Sequence, residues 1–274
     1  MPSSPAPCCA TTGSKSVARK ADSGGQTRDA FLGGRLVLTQ PARGFRAGLD
    51  AVMLASAIPA RAGDRVLDLG CGVGAVALCL HARVAGLSLT GVEIQPDYAA
   101  LARANGVEAG ADFEVVDASV EALPAALRAQ RFSHVFLNPP FYPRGGGSPA
   151  VNSGREGALR ESAPLSTWIT VAARRVAPRG TLTALVGADR LPEALAAIPR
   201  GFGGVTVKPL APLAGADAIR VILRAVPGSR AAFRLLAPLV LHKAPGTGDF
   251  TPEAEAILRG AAALDDLATR AAGQ

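Results

Sequence analysis

The stretch Arg65-Val66-Leu67-Asp68-Leu69-Gly70-Cys71-Gly72-Val73-Gly74 constrains this chain more than any other. An apolar run of strand length meets three alternate glycines, and an apolar segment of helix length follows. Glycine lets the backbone turn tightly and lets a ligand approach it closely. The helix behind such a turn presents unpaired N–H groups and a positive dipole end. Glu93 ends the next apolar run, 19 residues after Gly74. A carboxylate there can accept hydrogen bonds from both hydroxyls of a ribose. The spacing predicts a strand–turn–helix–strand unit that binds a nucleoside-containing cofactor; the bland alternative is a structural turn with a surface glutamate.

Two cofactor classes fit those glycines. Gly70-x-Gly72-x-x-Ala75 also matches a dinucleotide fingerprint, and an acid on the second strand suits NAD as well. Asp68 favours the other class, S-adenosylmethionine. A methyl donor carries an ammonium and a sulfonium, which favour a nearby carboxylate; a pyrophosphate does not. Asp117 follows the third apolar run, where such folds place a group near the adenine of the cofactor. The candidate cofactor set is Asp68, Gly70, Cys71, Gly72, Gly74, Glu93, Ile94, Asp117, Ala118 and Asn138.

The rest of the pattern supports an alternating α/β chain. Strands are expected at 65–69, 87–94, 113–116, 133–137, 180–186, 205–210 and 218–226. Helices are expected at 73–84, 97–105, 121–129 and 165–176. Strands alternating with helices of this length imply a doubly wound, mostly parallel seven-stranded sheet with helices on both faces. Residues 1–30 are rich in Ser, Pro, Ala, Gly and basic residues without periodicity, and read as a disordered tail. Residues 31–274 read as one domain.

At the end of the fourth expected strand stands Asn138-Pro139-Pro140-Phe141. In open α/β sheets ligands bind beyond the carboxyl ends of the strands, so this tetrapeptide lies beside the donor. It is similar to the (Asp/Asn/Ser)-Pro-Pro-(Tyr/Phe/Trp) motif of amino methyltransferases. A planar amino nitrogen conjugated to a ring or carbonyl is a poor nucleophile. The Asn138 amide oxygen and the Pro139 carbonyl can each accept one of its hydrogens out of plane, which frees the lone pair. Phe141 can stack on the target ring, a contact worth roughly 1–3 kcal/mol per base. His134, His81 and His242 read as structural rather than catalytic.

With these residues in hand, the chain resembles the bacterial tRNA(Val) adenine-N(6)-methyltransferases from about Leu36 to Arg259. The resemblance rests on Gln40-Pro41-Ala42-Arg43-Gly44-Phe45-Arg46-Ala47-Gly48-Leu49-Asp50-Ala51-Val52, on DLGCGVG, VEIQP and NPPF in order, and on the stretches 235–242 and 250–258. It implies that Gly48, Leu49 and Asp50 help cover the donor, and that the target is an adenine next to the anticodon of a tRNA. Pro227-Gly228-Ser229 stands where that family is expected to carry a basic Lys-Gly-Ser element. The rival readings are a glutamine-amide protein methyltransferase, a guanine-amino rRNA methyltransferase, a non-catalytic S-adenosylmethionine-binding subunit and an NAD-dependent oxidoreductase.

Charge bears on the partner. A net charge of +7 and a pI near 9.8 favour a polyanion such as RNA. Only four of the 29 basic residues are Lys, a bias that GC-rich coding also produces. From Arg200 to Lys243 there are seven basic residues and one acid, Asp217. Arg220 and Arg224 share a strand face there, and Arg230 follows in a turn, so these three are candidate phosphate contacts. Arg144, Arg155 and Arg160, after NPPF, are candidates for RNA near the target. No Cys or His spacing suggests a metal, and no run approaches the roughly 18 apolar residues of a membrane helix. Free thiols at Cys71 and Cys79 fit a reducing cytoplasm.

Overall fold

The computed structural model describes residues 21–22, 25–139 and 163–264. Two strands, β2 (Gln26–Phe31) and β3 (Leu36–Pro41), form an antiparallel hairpin, with β1 (Ala21–Asp22) on its outer edge. β3 buries alternate residues, including Leu36, Leu38 and Gln40. This corrects the expected tail: ordered strand begins before residue 30. The polar, charged sequence of β2 hides it, because only Phe31 of that strand is buried.

The main sheet is built from β4 (Arg65–Leu69), β5 (Ser88–Glu93), β6 (Asp112–Asp117), β7 (Phe132–Leu137), β8 (Val176–Gly187), β9 (Phe202–Ala211) and β10 (Arg220–Pro227). Their order is β9-β10-β8-β7-β4-β5-β6. The strands from β4 to β8 pair in parallel, and β10 runs antiparallel to both β8 and β9. Two short strands, β11 (Arg234–Leu235) and β12 (Leu239–Val240), lie parallel against β9. The doubly wound, mostly parallel sheet expected from the sequence is therefore present, with these two short strands beyond the expected seven.

Helices cover both faces. On one lie α1 (Leu49–Ser56), α2 (Ala75–Arg83) and α7 (Pro252–Leu258), packing Met53, Leu54, Leu78, Leu80 and Ile257 with Phe136. On the other, α5 (Leu165–Ala173) and α6 (Leu191–Ala197) pack Leu165, Trp168, Ile169 and Ala194 with Val135 and Leu137. Neighbouring β7 residues thus serve opposite cores, as a strand's period of two requires. The helix α3 (Pro96–Glu108) lies between β5 and β6 in sequence. The helix expected at 121–129 is broken by Pro124 into a 3-10 turn (Val120–Ala122) and a short α4 (Ala125–Ala129). The helix expected at 165–176 stops at Ala173, and β8 begins at Val176. Thr251 caps α7 by accepting from the Ala254 N–H at 3.2 Å, with Pro252 in the first turn.

His134 is buried, with Nδ1 2.8 Å from Thr181 Oγ1 and Nε2 3.1 Å from Asp64 Oδ2. Burial holds its pKa below the usual imidazole value, against the pull of Asp64.

The structure corrects the assignment of Arg224 to RNA. Its side chain is buried and donates to the carbonyl of Ala57, just past the end of α1. Arg83 donates to the neighbouring carbonyls of Ala55 and Ile58. Two cations thus add donors to the carbonyls at the C-terminal end of the helix. Arg220, on the same face of β10, bonds Asp50 in the first turn of α1 at 3.4 Å. Four strand residues span about 13 Å, and Asp50 to Ala57 along a helix spans about 10 Å. The two arginines therefore fasten both ends of one helix. Replacing Arg224 by Leu should cost about 1–3 kcal/mol of stability, the penalty of a buried carbonyl losing its donor. Urea unfolding measures it, and RNA affinity in the folded variant should match that of the parent.

Candidate active site

The carboxyl ends of the parallel strands meet at one place. Leu69 pairs with Val92 and with Leu137, and Glu93 pairs with Asp117. Where β4 ends, the N–H groups of Gly70 and Cys71 both donate to Val92 O, at 2.8 and 2.9 Å. The turn that follows has Gly70, Gly72 and Gly74 all at positive φ (74°, 55° and 85°), conformations L side chains rarely adopt.

Space around these glycines differs. A Cβ at Gly70 would lie 2.9 Å from the Trp168 ring, and one at Gly74 would lie 2.8 Å from Phe113. A Cβ at Gly72 would meet nothing within 4 Å. Among the described residues, Gly72 alone of the three faces open space, where a ligand can approach its backbone. Gly70 and Gly74 are required by the aromatic rings packed on them. No sequence signal ties either ring to the site; Trp168 stands out only as the sole tryptophan.

Glu93 is fixed before any ligand arrives. Its Oε2 accepts from the Gly72 N–H at 2.9 Å and its Oε1 from the Gln95 N–H at 2.8 Å. Each oxygen keeps a second lone pair, which is what two vicinal hydroxyls need. The next residue, Ile94, is an exposed apolar side chain, 53% accessible. Ala118 donates its N–H to Glu93 O at 3.0 Å, closing the third strand end onto the second. Asp117 is half exposed and paired with Arg103 at 2.6 Å.

Three buried polar atoms on the site's elements lack partners among the described residues: Asp68 Oδ2, Asn138 Oδ1 and Trp168 Nε1. A buried acceptor without a donor is costly. Burial pushes the Asp68 carboxyl well above the usual carboxylate range; the Ala77 N–H pulls it down and the Glu93 charge pushes it up. A cationic ligand group beside Asp68 would supply what this carboxylate lacks. Burial likewise pushes the Cys71 thiol well above its usual range. The open backbone at Gly72, the fixed Glu93 and the unsatisfied Asp68 fit a donor that carries both a ribose and a positive charge.

The segment between β3 and α1 lies against these elements, held by Gln40 of the lead-in pattern and by Tyr98 and Asn105, which no motif marks. Gln40 clasps Ala47, accepting its N–H at 2.8 Å and donating to its carbonyl at 3.2 Å. Tyr98 does the same to Phe45, at 3.0 and 3.1 Å. Asn105 joins Thr39 of β3 to Val73 of the glycine turn. Gly48 precedes α1 at φ −151° and ψ −138°, and Asp50 is engaged by Arg220. Buried Gln and Asn side chains that pair with backbone are invisible to periodicity, because they read as polar positions.

Of the target motif, Asn138 and Pro139 follow β7 directly, with Pro139 buried. Pro140, Phe141, Arg144, Arg155 and Arg160 lie outside the described residues. Arg230 is exposed, but it follows β10 at the pole opposite Asn138, since β10 is antiparallel to β8. Among the described residues no group of three His, Cys, Asp or Glu side chains is placed to hold a metal, and no helix is long and apolar enough to cross a membrane.

A parallel sheet in this order, with a glycine turn and a fixed glutamate at its carboxyl end, defines a class I S-adenosylmethionine-dependent methyltransferase. Residues 48–206 match the model of the methyltransferase small domain family, and the chain belongs to that family. A relative from Porphyromonas gingivalis named tRNA1(Val) (adenine(37)-N6)-methyltransferase is 31% identical over 180 residues, covering 60% of this chain and 68% of its own. The resemblance read from the sequence thus holds. A release factor glutamine methyltransferase from Deinococcus radiodurans is 38% identical, but over 79 residues, 29% of this chain and 27% of that one. Among solved structures, a protein from Agrobacterium tumefaciens described as a predicted O-methyltransferase is 28% identical with a TM-score of 0.64, over 78% of this chain and 97% of that one.

Two substitutions test the donor site. Glu93→Ala should weaken S-adenosylmethionine by roughly 1–3 kcal/mol, the cost of losing hydrogen bonds to a charged group. Asp68→Asn should weaken it too, yet should stabilise the ligand-free protein at neutral pH. A carboxyl whose folded pKa is raised favours folding below its unfolded pKa and loses that contribution as pH rises through the folded value. The gain should therefore vanish in acid. Calorimetric titration and thermal melts across pH measure both.

Proposed function

We propose that this methyltransferase acts on the exocyclic amino group of adenine in tRNA, with S-adenosylmethionine as donor. The observation that carries the reading is the buried Asn138 Oδ1 at the end of β7, which has no hydrogen-bond partner among the described residues. An amide oxygen held there without a donor suits an incoming N–H. The names of the relatives matched over 60% of the chain support adenine as the target. The match to a glutamine methyltransferase spans under a third of the chain, so it supports that alternative less. Buried free thiols at Cys71 and Cys79 suit a reducing, cytoplasmic setting.

The bound donor supplies an electrophilic methyl group on a sulfonium. Asp68 and Glu93 hold its charged and ribose portions, and Ile94 offers an apolar surface beside them. Asn138 and the Pro139 carbonyl each accept one amino hydrogen, turning the nitrogen lone pair toward the methyl. Phe141 would stack on the base and offset part of the cost of unstacking it. No strong general base is needed, because the proton leaves for solvent once the N–C bond has formed. Catalysis is then orientation and electrostatics rather than covalent attack by the protein.

Asn138→Ala should slow methyl transfer by about 10²–10³, comparable to losing one positioned hydrogen-bonding group at a reacting centre. Donor affinity should change little. Phe141→Ala should weaken productive RNA binding as well as rate, and Phe141→Tyr should be mild. Single-turnover kinetics with labelled donor and unmodified tRNA, followed by nucleoside analysis, reads all three. Label in protein alone would sink the RNA reading, and a wild-type rate for Asn138→Ala would sink the role given to NPPF.

A further inference from the structure

A second basic surface lies at the other pole of the sheet, among the amino ends of β4, β7 and β8. Arg65 opens β4 and donates to Gln130 Oε1 and to the carbonyl of Arg131 at 3.3 Å. Arg131 precedes β7 and donates to the carbonyl of Arg128 at 3.4 Å. The N–H of Phe132, at the start of β7, donates to Arg175 O at 2.9 Å, which brings Arg174 and Arg175 alongside. Arg179 follows in the irregular start of β8, at a positive φ of 65°. Six arginines from three distant segments therefore gather at one end of three adjacent strands. The described residues of the two segments 122–139 and 163–188 contain no Asp or Glu, and Asp64, beside Arg65, is engaged by His134 at 3.1 Å.

Arg65, Arg128, Arg131, Arg174 and Arg179 are exposed, whereas Arg175 is 8% accessible. Its Nη1 is buried and has no hydrogen-bond partner among the described residues. Burial holds its pKa below the usual guanidinium value, and the charges of Arg131, Arg174 and Arg128 press it further down. A buried cation surrounded by cations is destabilising unless an anion completes it. Arginine presents its donors as a planar fork that matches phosphate oxygens. Several exposed guanidinium groups around one buried one suit a chain of phosphates better than a single small anion.

We infer that this arginine cluster is a docking site for the phosphate backbone of the RNA substrate, remote from the base that is methylated. The inference rests on the RNA reading of the active site. β7 separates the two poles by about 20 Å at the rise of a strand, a distance one folded RNA can span. The site would fix the RNA's position without reading its sequence, as backbone contacts do.

The test is binding of unmodified tRNA across a range of salt, comparing the wild-type protein with Arg128→Ala/Arg174→Ala. Both side chains are exposed, so the variant should keep its melting temperature and its affinity for S-adenosylmethionine. Its RNA affinity should fall roughly tenfold, and the slope of log affinity against log salt should shrink by about 0.7–0.9 for each phosphate left without its arginine. The Michaelis constant for RNA should rise. Arg259→Ala, which removes a charge from α7's end, should leave the slope alone. An unchanged slope in the double variant would overturn the inference while leaving the RNA reading standing. Wild-type protein that neither binds nor methylates RNA would overturn both, and would do so before any variant is made.

Discussion

The carbonyl of Val92 receives two amide N–H groups, from Gly70 and Cys71, and the active-site end of the molecule hangs on that junction. It holds the first turn over the end of the neighbouring strand instead of letting it splay into solvent. From there Gly72 reaches Glu93 with its own N–H at 2.9 Å. Glu93 and the glycine turn are thus one hydrogen-bonded unit, preorganised by the parallel register of β4 and β5. Trp168 from one face and Phe113 from the other close on the glycines and leave only Gly72 open. Preorganisation of this kind spares a ligand the entropy of ordering its own site.

Part of the molecule's unsatisfied chemistry also lies at this end. Native interiors pair nearly all buried polar atoms, yet Asp68, Asn138 and Trp168 each carry a buried atom without a partner among the described residues. They come from β4, the end of β7 and α5, so no single local distortion explains them. What they share is proximity to the carboxyl ends of the strands. Asp68 and Asn138 offer acceptors, which a cationic or N–H-bearing ligand can use, whereas the Trp168 indole N–H is a donor. Stability given up there is recovered when a ligand binds the native state alone.

Much of this is legible in the sequence because it rests on local rules. The β4 turn, Glu93 and NPPF follow from strand, glycine and loop signals within short windows, and the central strands follow from apolar runs. What escapes the sequence depends on tertiary placement. β2 reads as a polar tail because its hairpin rests on the rest of the fold through β3. Periodicity puts Arg224 on the same face of β10 as Arg220, but nothing local says that α1 lies over that face and buries it. Arg65, Arg128, Arg131, Arg174 and Arg175 belong to three segments, and only the pairing of β4 with β7 and of β7 with β8 makes them a cluster. The basic run 200–243 misleads in the opposite direction. It is dense in sequence, yet its members scatter between the mouth, the core and the far pole.

The lead-in between β3 and α1 joins these observations. It belongs to neither sheet nor helix, so its backbone polar groups need partners from elsewhere. Gln40 and Tyr98 each present a donor and an acceptor to one residue, Ala47 and Phe45, as a neighbouring strand would. Asp29 of the hairpin adds an ion pair with Arg46. α1 continues the segment, and it is fastened at its start by Arg220 and just past its end by Arg224. Tyr98 belongs to α3, directly after the Glu93 strand, while the two arginines belong to β10 at the antiparallel side of the sheet. The lead-in is therefore tied to both halves of the sheet, across the carboxyl ends of β4 and β7. A segment fastened from both sides is a fixed wall of the site, and its geometry is set by the sheet rather than by the ligand.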